Sequence, residues 1–347
     1  MSETFAYREI EHLKSGLSIS SHFGCSLNCA YCLLHAGTDG ASNIITVASP
    51  NELVDQLLQT DTLFFNGMTP LFINNRTDPF LPKVCEHTLQ ILDLLVENAI
   101  RSPVVLVSKL SAPAELKRYC EALPLMVIFS YSALEEDFNF NAIRSIDQFA
   151  QNIPARHLFH YMRPIIPGKN DTVKTLRNTI QKFAEAGFAG SIISGIRLTQ
   201  GNLQYLGAQP EMINAHKLLS PSVYHQLLSD PVLAGIENPL FRHTSCAIDY
   251  FMKRANRLGY YLRSDHCNPM CANRHNCEMP APAVSKVYEK ITARFPEMVI
   301  DCDRKGVAIH TPVSQELTAF IRNAYGVQVK AEKIILSPSE EVLANVQ

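Results

Sequence analysis

Residues 24–37, GCSLNCAYCLLHAG, decide how this chain is read. Cys25, Cys29 and Cys32 stand in a C-x3-C-x2-C run, with Tyr31 directly before the last. Thiolates are soft ligands that select iron–sulfur clusters, copper(I) or zinc over hard cations. Spacings of two and three residues let a short loop wrap one metal centre from several sides. A saturated iron–sulfur site takes four thiolates, and this loop supplies three, so one iron is left to bind something else. Zinc is the alternative: a structural zinc site is closed by a fourth ligand, and His22 or His35 stands near enough in sequence to supply it.

Around the loop, the chain alternates strands and helices. Leu17–Ser20 reads as a strand that ends at the cysteine loop. Ser49-Pro50-Asn51-Glu52 opens a helix over residues 50–60 with a capping-box pattern. There follow strand Pro70–Asn74, helix Lys83–Asn98, strand Pro103–Val107, helix Pro113–Glu121, strand Leu125–Tyr131, helix Asn141–Gln151, strand His157–Met162, helix Thr172–Ala186 closed by Gly187, and strand Ser191–Leu198. Continuous apolar strands alternating with amphipathic helices imply a parallel sheet covered by helices. Six such units fall short of the eight of a closed barrel. Residues 1–15 read as a polar lead-in with a weak helical pattern.

The run Cys25, Cys29, Tyr31, Cys32 resembles the C-x3-C-x-aromatic-C signature of the radical S-adenosylmethionine (SAM) enzymes. The resemblance covers about residues 16–200 and implies an α/β fold, a partial (βα)6 TIM-like barrel. It implies a 4Fe–4S cluster on Cys25, Cys29 and Cys32, with SAM on the fourth iron. Reductive cleavage of SAM then gives a 5′-deoxyadenosyl radical that abstracts hydrogen from a substrate.

In parallel αβ barrels the chemistry sits past the C-terminal ends of the strands. The family's Gly-Gly-Glu run after the second strand is absent. Residues 75–80, NRTDPF, are instead similar to a TDP-aromatic run of the spore photoproduct lyase branch, as is Ser108-Lys109 in VSK. That resemblance implies that Asn75, Thr77 and Asp78 approach the SAM amino group. The alternative is a polar turn with Asp78 capping the next helix, and Lys109 either meets a carboxylate or is a solvated loop lysine. Tyr31 and Ser130 are expected beside SAM, Ser130 at its ribose. Arg163 has a fork suited to a carboxylate of SAM or substrate, or to a structural salt bridge. Ile193 and Gly195 in SIISG fit the family's G-x-I-x-G adenine run, with Ser191 replacing its first glycine.

A second cysteine group follows: Cys246, then Cys267, Cys271 and Cys277 in SDHCNPMCANRHNC. Four thiolates suit an auxiliary 4Fe–4S cluster, with zinc as the alternative. His266 and His275 are reserve ligands. A freed Cys246 near the barrel mouth is instead a hydrogen-atom donor, and so a catalytic residue. A helix is expected over Ala247–Leu258. Cys85, Cys120 and Cys302 stand alone and read as small buried residues. The expected domains are 1–200 (partial barrel), 201–282 (helical and cysteine-rich cluster region) and 283–347 (a small α/β tail with a last strand over Val327–Leu336).

The 347 residues are 46% hydrophobic, enough for a large core, with a net charge of −2 that gives no electrostatic footprint for nucleic acid. No apolar run reaches the roughly 20 residues that span a bilayer. The first fifteen residues lack the apolar core of a signal peptide. Cysteines at ligand spacing favour a reducing cytoplasm over disulfides. The function expected is hydrogen abstraction from a small-molecule or peptide substrate in a modification or biosynthetic pathway, fed by an electron donor such as flavodoxin or ferredoxin. The alternatives are a nucleic-acid repair or modification enzyme with the same chemistry, and a non-catalytic zinc or iron–sulfur protein.

Overall fold

The computed structural model describes residues 9–13, 15–32, 43–59, 67–134, 142–196, 221–236, 238–258, 271–277, 284–303, 306–325 and 327–335. The strands of the main sheet are β1 (Ile10–Leu13), β2 (Gly16–Ile19), β5 (Leu71–Ile73), β6 (Val104–Ser108), β7 (Leu125–Ser130), β8 (Leu158–Ile165), β9 (Ser191–Gly195) and β10 (Leu240–Phe241), in that order across the sheet. From β2 to β10 all neighbours are parallel, while β1 folds back antiparallel on β2. A short ribbon, β3 (His22–Phe23) with β4 (Ile45–Thr46), flanks the cysteine loop. This is a mixed α/β fold with a central parallel sheet. The six expected parallel strands are all present.

The crossovers are helices α1 (Pro50–Gln59), α2 (Cys85–Glu97), α3 (Leu116–Ala122), α4 (Ala142–Asn152) and α5 (Val173–Glu185). Local chemistry sets their starts. Ser49 and Glu52 form a reciprocal capping box on α1, Ser49 N–H donating to Glu52 Oε2 (2.8 Å) and Glu52 N–H to Ser49 Oγ (3.3 Å). Thr172 caps α5 by accepting from Thr175 N–H (3.2 Å), and Gly187, at φ +83°, follows its end.

Strand alternation splits the core into two layers. Val104, Leu106, Leu125, Val127 and Phe129 on one face pack under the crossover helices. Val105, Met126, Ile128, Phe159, Tyr161 and Ile192 on the other face pack against α8 (Thr244–Phe251). The inner face of the sheet is thus covered by a helix from far along the chain. Between β9 and β10 lie α6 (Pro221–Leu228) and α7 (Pro231–Ala234), packed on β8 and β9 through Leu227 and Leu233.

The structure corrects several local expectations. Residues 10–13 are strand rather than helix, because pairing with β2 overrides a weak local pattern. Gly16 permits the close approach of β2 to the chain entering β5: a Cβ there would stand 2.2 Å from Pro70 O. Leu240–Phe241 extends the sheet beyond residue 200, where the segment was expected to be mostly helical. The helix expected over Ala247–Leu258 is α8 and ends at Phe251, after which Lys253 turns at φ +51°.

The C-terminal part has a core of its own, with Val287, Ile291, Ile300, Val307, Ile309 and Ile321 at its centre. It comprises α10 (Val284–Arg294), β11 (Ile300–Asp303), β12 (Gly306–Ile309), β13 (Val313–Ser314), α11 (Gln315–Tyr325), β14 (Val329–Ala331) and β15 (Ile334–Ile335). The single last strand expected over Val327–Leu336 is two, β14 and β15, which pair in different small sheets. Phe320 on α11 also packs against the main core. Among the described residues no helix is long and apolar enough to cross a membrane.

Candidate active site

The cysteine loop leaves β3 at Gly24 (φ +88°) and turns again at Asn28 (φ +50°), where asparagine tolerates the left-handed region. Cys32 N–H donates to Cys29 O (2.8 Å), closing a tight turn that brings the last two cysteines onto one arc. Cys29 and Tyr31 are buried against Leu134, Ile166 and Ile196, with Leu27 and Cys32 at the margin. Those three aliphatic residues follow the C-terminal ends of β7, β8 and β9. The loop therefore lies over the reaction end of the sheet, where the sequence placed it.

Burial pushes the Cys25 thiol up to about 12; the Leu27 backbone opposes this, and the nearby Asp78, Cys29 and Cys32 add to it. A cation beside the Cys25 sulfur would favour its thiolate and oppose that shift. The residues fit a thiolate-held iron–sulfur cluster on these grounds: a donor set of three soft ligands, mutual proximity, and a buried wall. Among the described residues no three His, Cys, Asp or Glu side chains close around a single ion. A mononuclear zinc site would hold its sulfurs close together on Zn–S bonds of about 2.3 Å. A cubane carries each cysteine on a separate iron. His22 is poorly placed to close a zinc site, since Ser21 Oγ (2.9 Å) and Thr46 Oγ1 (3.1 Å) engage its two ring nitrogens. His35 lies outside the described residues.

Asp78 is the electrostatic centre of the next loop. It is 4% exposed and accepts from Ser108 Oγ (2.7 Å) and Phe80 N–H (3.0 Å) on Oδ1, and from Lys109 N–H (2.8 Å) on Oδ2. Burial raises its pKa; the three hydrogen bonds and the Lys109 charge pull the other way. Asp78 does not cap the next helix, whose N-cap is Val84 without a side-chain cap; it instead ties the loop after β5 to the end of β6. Lys109 is buried rather than solvated. Its ammonium donates to Ser130 O (3.2 Å) and stands 5.3 Å from the Tyr31 ring centroid, a cation–π distance. Ser130 is half-buried, and its carbonyl serves Lys109.

Thr77 is 8% exposed, and its Oγ1 has no hydrogen-bond partner, an orphaned hydroxyl beside Asp78. Asn75 Oδ1 accepts from Ser18 Oγ. Arg163, half-buried past the middle of β8, donates to Tyr161 Oη (2.7 Å), and that oxygen meets Thr244 Oγ1 (2.9 Å). Among the described residues no carboxylate pairs with Arg163, so the salt-bridge reading is not what the structure contains. Ile193 points into the outer core, so only backbone at Ile193 and Gly195 is directed at the strand end.

Two positioning residues escaped the sequence reading. Asn74, fully buried at φ +53°, accepts from Ser21 N–H (2.8 Å) and donates to Thr88 Oγ1 (2.9 Å), tying the start of the cysteine ribbon to α2. Asn170, also fully buried, donates to Ser132 O (2.6 Å) and Pro164 O (2.9 Å) and accepts from Ile166 N–H (2.6 Å). For Asn74 the available signal was an asparagine directly after a strand, where left-handed backbone is needed.

In the second cysteine group, Cys246 lies on α8, Cys271 precedes the one-turn helix α9 (Arg274–Cys277), and Cys277 is its last residue. Asn256 joins two of them: its N–H donates to Cys277 Sγ (3.3 Å) and its side-chain amide to Cys246 Sγ (3.6 Å). Cys267 and His266 lie outside the described residues, and His275 is exposed. Cys120 is buried, with its thiol pushed up to about 12 by burial, and burial also raises the half-buried Cys85 and Cys302. The expectation of small buried residues holds for Cys120, whereas Cys85 and Cys302 are only partly buried.

No family model and no curated protein matches the chain. Solved structures of spore photoproduct lyase do match, at low identity. A cysteine-to-serine variant aligns at 14% identity and TM-score 0.46, covering 62% of this chain and 66% of that one. The lyase complexed with a dinucleoside spore photoproduct aligns at 13% identity and TM-score 0.46, covering 63% and 66%. A double variant with bound AdoMet and the same photoproduct aligns at 13% and TM-score 0.45, covering 61% and 65%. The chain spans just under two thirds of the length of these structures.

Proposed function

We propose that the chain is a radical SAM enzyme on a partial (βα)6 barrel of residues 1–200, followed by a cysteine-rich cluster region (201–282) and a small α/β tail (283–347). The observation that carries the proposal is the three-cysteine loop packed past the C-terminal strand ends, with the Asp78–Ser108–Lys109 unit beside it. Cys25, Cys29 and Cys32 would hold a 4Fe–4S cluster, with SAM on its open iron. When bound, this pair supplies reductive SAM cleavage and a 5′-deoxyadenosyl radical for hydrogen abstraction.

The chain's own residues then orient and shield. Thr77 Oγ1 offers an acceptor to the SAM ammonium, alongside Asn75 and Asp78. The Lys109 ammonium faces a carboxylate, and Ser130 and the backbone of Ile193 and Gly195 serve ribose and adenine. The Arg163 fork holds a carboxylate of SAM or substrate. Leu27, Leu134, Ile166 and Ile196 exclude water from the loop, which protects a reactive radical. Cys246, Cys267, Cys271 and Cys277 would hold an auxiliary 4Fe–4S cluster, zinc being the alternative there. The reductant would be a flavodoxin or ferredoxin, in a cytoplasm reducing enough to keep these thiols free.

On substrate, the small-molecule or peptide reading now yields to nucleic-acid repair or modification. The two runs that resemble the lyase branch, 75–80 and 108–109, are one hydrogen-bonded unit through Asp78. A gel-shift series over ionic strength distinguishes the two: salt-dependent retention of DNA or RNA is expected, and no retention at low salt returns the small-molecule reading. The chemistry is tested by equilibrium dialysis of SAM. Binding by reconstituted protein and its loss in metal-free protein are expected; equal binding by both removes the cluster from the SAM site.

A further inference from the structure

We infer that Arg163, Tyr161 and Thr244 form a subsite for a phosphodiester of the nucleic-acid substrate, on the floor of the reaction end and apart from the Lys109 ammonium. The inference rests on the nucleic-acid reading and deepens it, turning the Arg163 fork from a carboxylate to a substrate phosphate.

Lys109 and Arg163 both stand at this end of the sheet, and different partners hold them. Lys109 donates to Ser130 O (3.2 Å) and lies 5.3 Å from the Tyr31 ring centroid, so its ammonium leans toward the cysteine loop. Arg163 donates through Nη1 to Tyr161 Oη (2.7 Å), and its guanidinium carbon lies 5.5 Å from the Tyr161 ring centroid, so its head is drawn back over β8. The Tyr161 hydroxyl in turn meets Thr244 Oγ1 (2.9 Å), on the first residue of α8. The cysteine loop lies past the strand ends, whereas α8 packs below them on the inner face. The two head groups therefore serve different sides of the mouth, and each is set for its own anion.

Helix α8 makes the floor. Phe241 of β10 pairs with Ile192 of β9, which pairs with Tyr161, so α8 starts just beyond the level of Tyr161. Past its far end, Arg254 donates to Gly67 O (2.7 Å) and Met68 O (2.8 Å), carbonyls that precede β5. The helix thus runs from the reaction end down to the N-terminal strand ends. Its N-terminus, the positive end of its dipole, adds to the field of the guanidinium. Among the described residues no carboxylate pairs with Arg163 to cancel that charge. A guanidinium carries more donors than its one contact with Tyr161 uses. With a phenol and a threonine hydroxyl from a second element, it matches oxygens spread tetrahedrally better than the flat pair of a carboxylate. Arginine is also the side chain whose fork suits phosphate.

The test uses the full-length reconstituted chain and fluorescein-labelled single strands of about 12 nucleotides, one DNA and one RNA of the same sequence. Binding is followed by anisotropy over ionic strength, with equilibrium dialysis of SAM in parallel. Arg163→Gln should weaken binding of the retained strand about 10-fold or more, the scale for losing a hydrogen bond to a charged group. Its salt slope should fall by about 0.7, the value of one single-strand phosphate contact. Arg163→Lys should keep the slope and lose affinity, because the charge stays and the fork goes. Tyr161→Phe keeps the ring and should cost about 2- to 10-fold; it carries the test if circular dichroism shows that Arg163→Gln does not fold. SAM retention should stay at the wild-type level in all of them. Wild-type affinity and slope for the strand in the folded variants would overturn the inference while the nucleic-acid reading stands. So would a loss of SAM retention with strand binding intact, which would assign the fork to SAM. Failure of the nucleic-acid reading is distinct: the wild type itself would retain neither strand at low salt, and the inference would fall with it.

Discussion

The two cysteine groups are built on opposite plans. The first hangs from one loop, with aliphatic side chains around it and a single buried ammonium, Lys109, beside its tyrosine. The second is assembled from a helix and a distant turn, with amide donors directed at its sulfurs. The first loop packs past the C-terminal ends of β7, β8 and β9, whereas Arg254 and Arg257 tie the segment after α8 to the chain that precedes β5 and β2.

The largest effect expected is from Cys29→Ala. It should abolish 5′-deoxyadenosine formation and remove about four irons, leaving the second group loaded; loss of all iron would show that the two groups are one system. Asp78→Ala comes next. It takes the acceptor from Phe80 N–H and Lys109 N–H in the interior, at about 1–3 kcal/mol for each unsatisfied group, while Ser108 Oγ keeps Leu110 O, and a large fall in the denaturant midpoint should follow. A change within experimental error would mean that the bracket between β5 and β6 is not structural. Lys109→Ala should weaken SAM binding by about 10- to 100-fold, the range for losing a hydrogen bond to a charged group. Unchanged affinity in dialysis would assign the ammonium to the substrate or to the fold alone.

The smallest effect lies outside both regions. Protonated His310 donates through Nε2 to Asp301 Oδ2 (2.8 Å) and through Nδ1 to Glu332 Oε1 (2.9 Å). The hydrogen bonds to Asp301 and Glu332 raise its pKa above the usual 6.5 despite exposure. Its contribution to stability is therefore present in full below about pH 6.5 and is lost as pH rises through the folded value. The gap between wild-type and His310→Gln unfolding midpoints should narrow with rising pH. A constant gap would show that the carboxylates do not act on the ring.

Much of the reaction end was legible because its signals are local. Cys25, Cys29 and Cys32 are close in sequence, and each strand and helix of the sheet carries its own apolar period. Asp78 and Lys109 could be singled out because they follow strands. What joins them could not be read. Asn74, Asn170 and Asn256 act by reaching across the chain, and nothing beside them in sequence marks the partner. The anchoring of Arg254 on Gly67 spans 187 residues and that of Arg257 on Ser15 spans 242. Strands β1 and β10 were missed for a related reason: each is short, and the neighbouring strand rather than local propensity makes it a strand.

The most direct test of the account is anaerobic reconstitution of the wild-type chain, followed by SAM and dithionite and an assay for 5′-deoxyadenosine. The account expects about eight irons per chain, four at each group, and formation of the nucleoside. Zinc in place of iron, with SAM left intact, would contradict it.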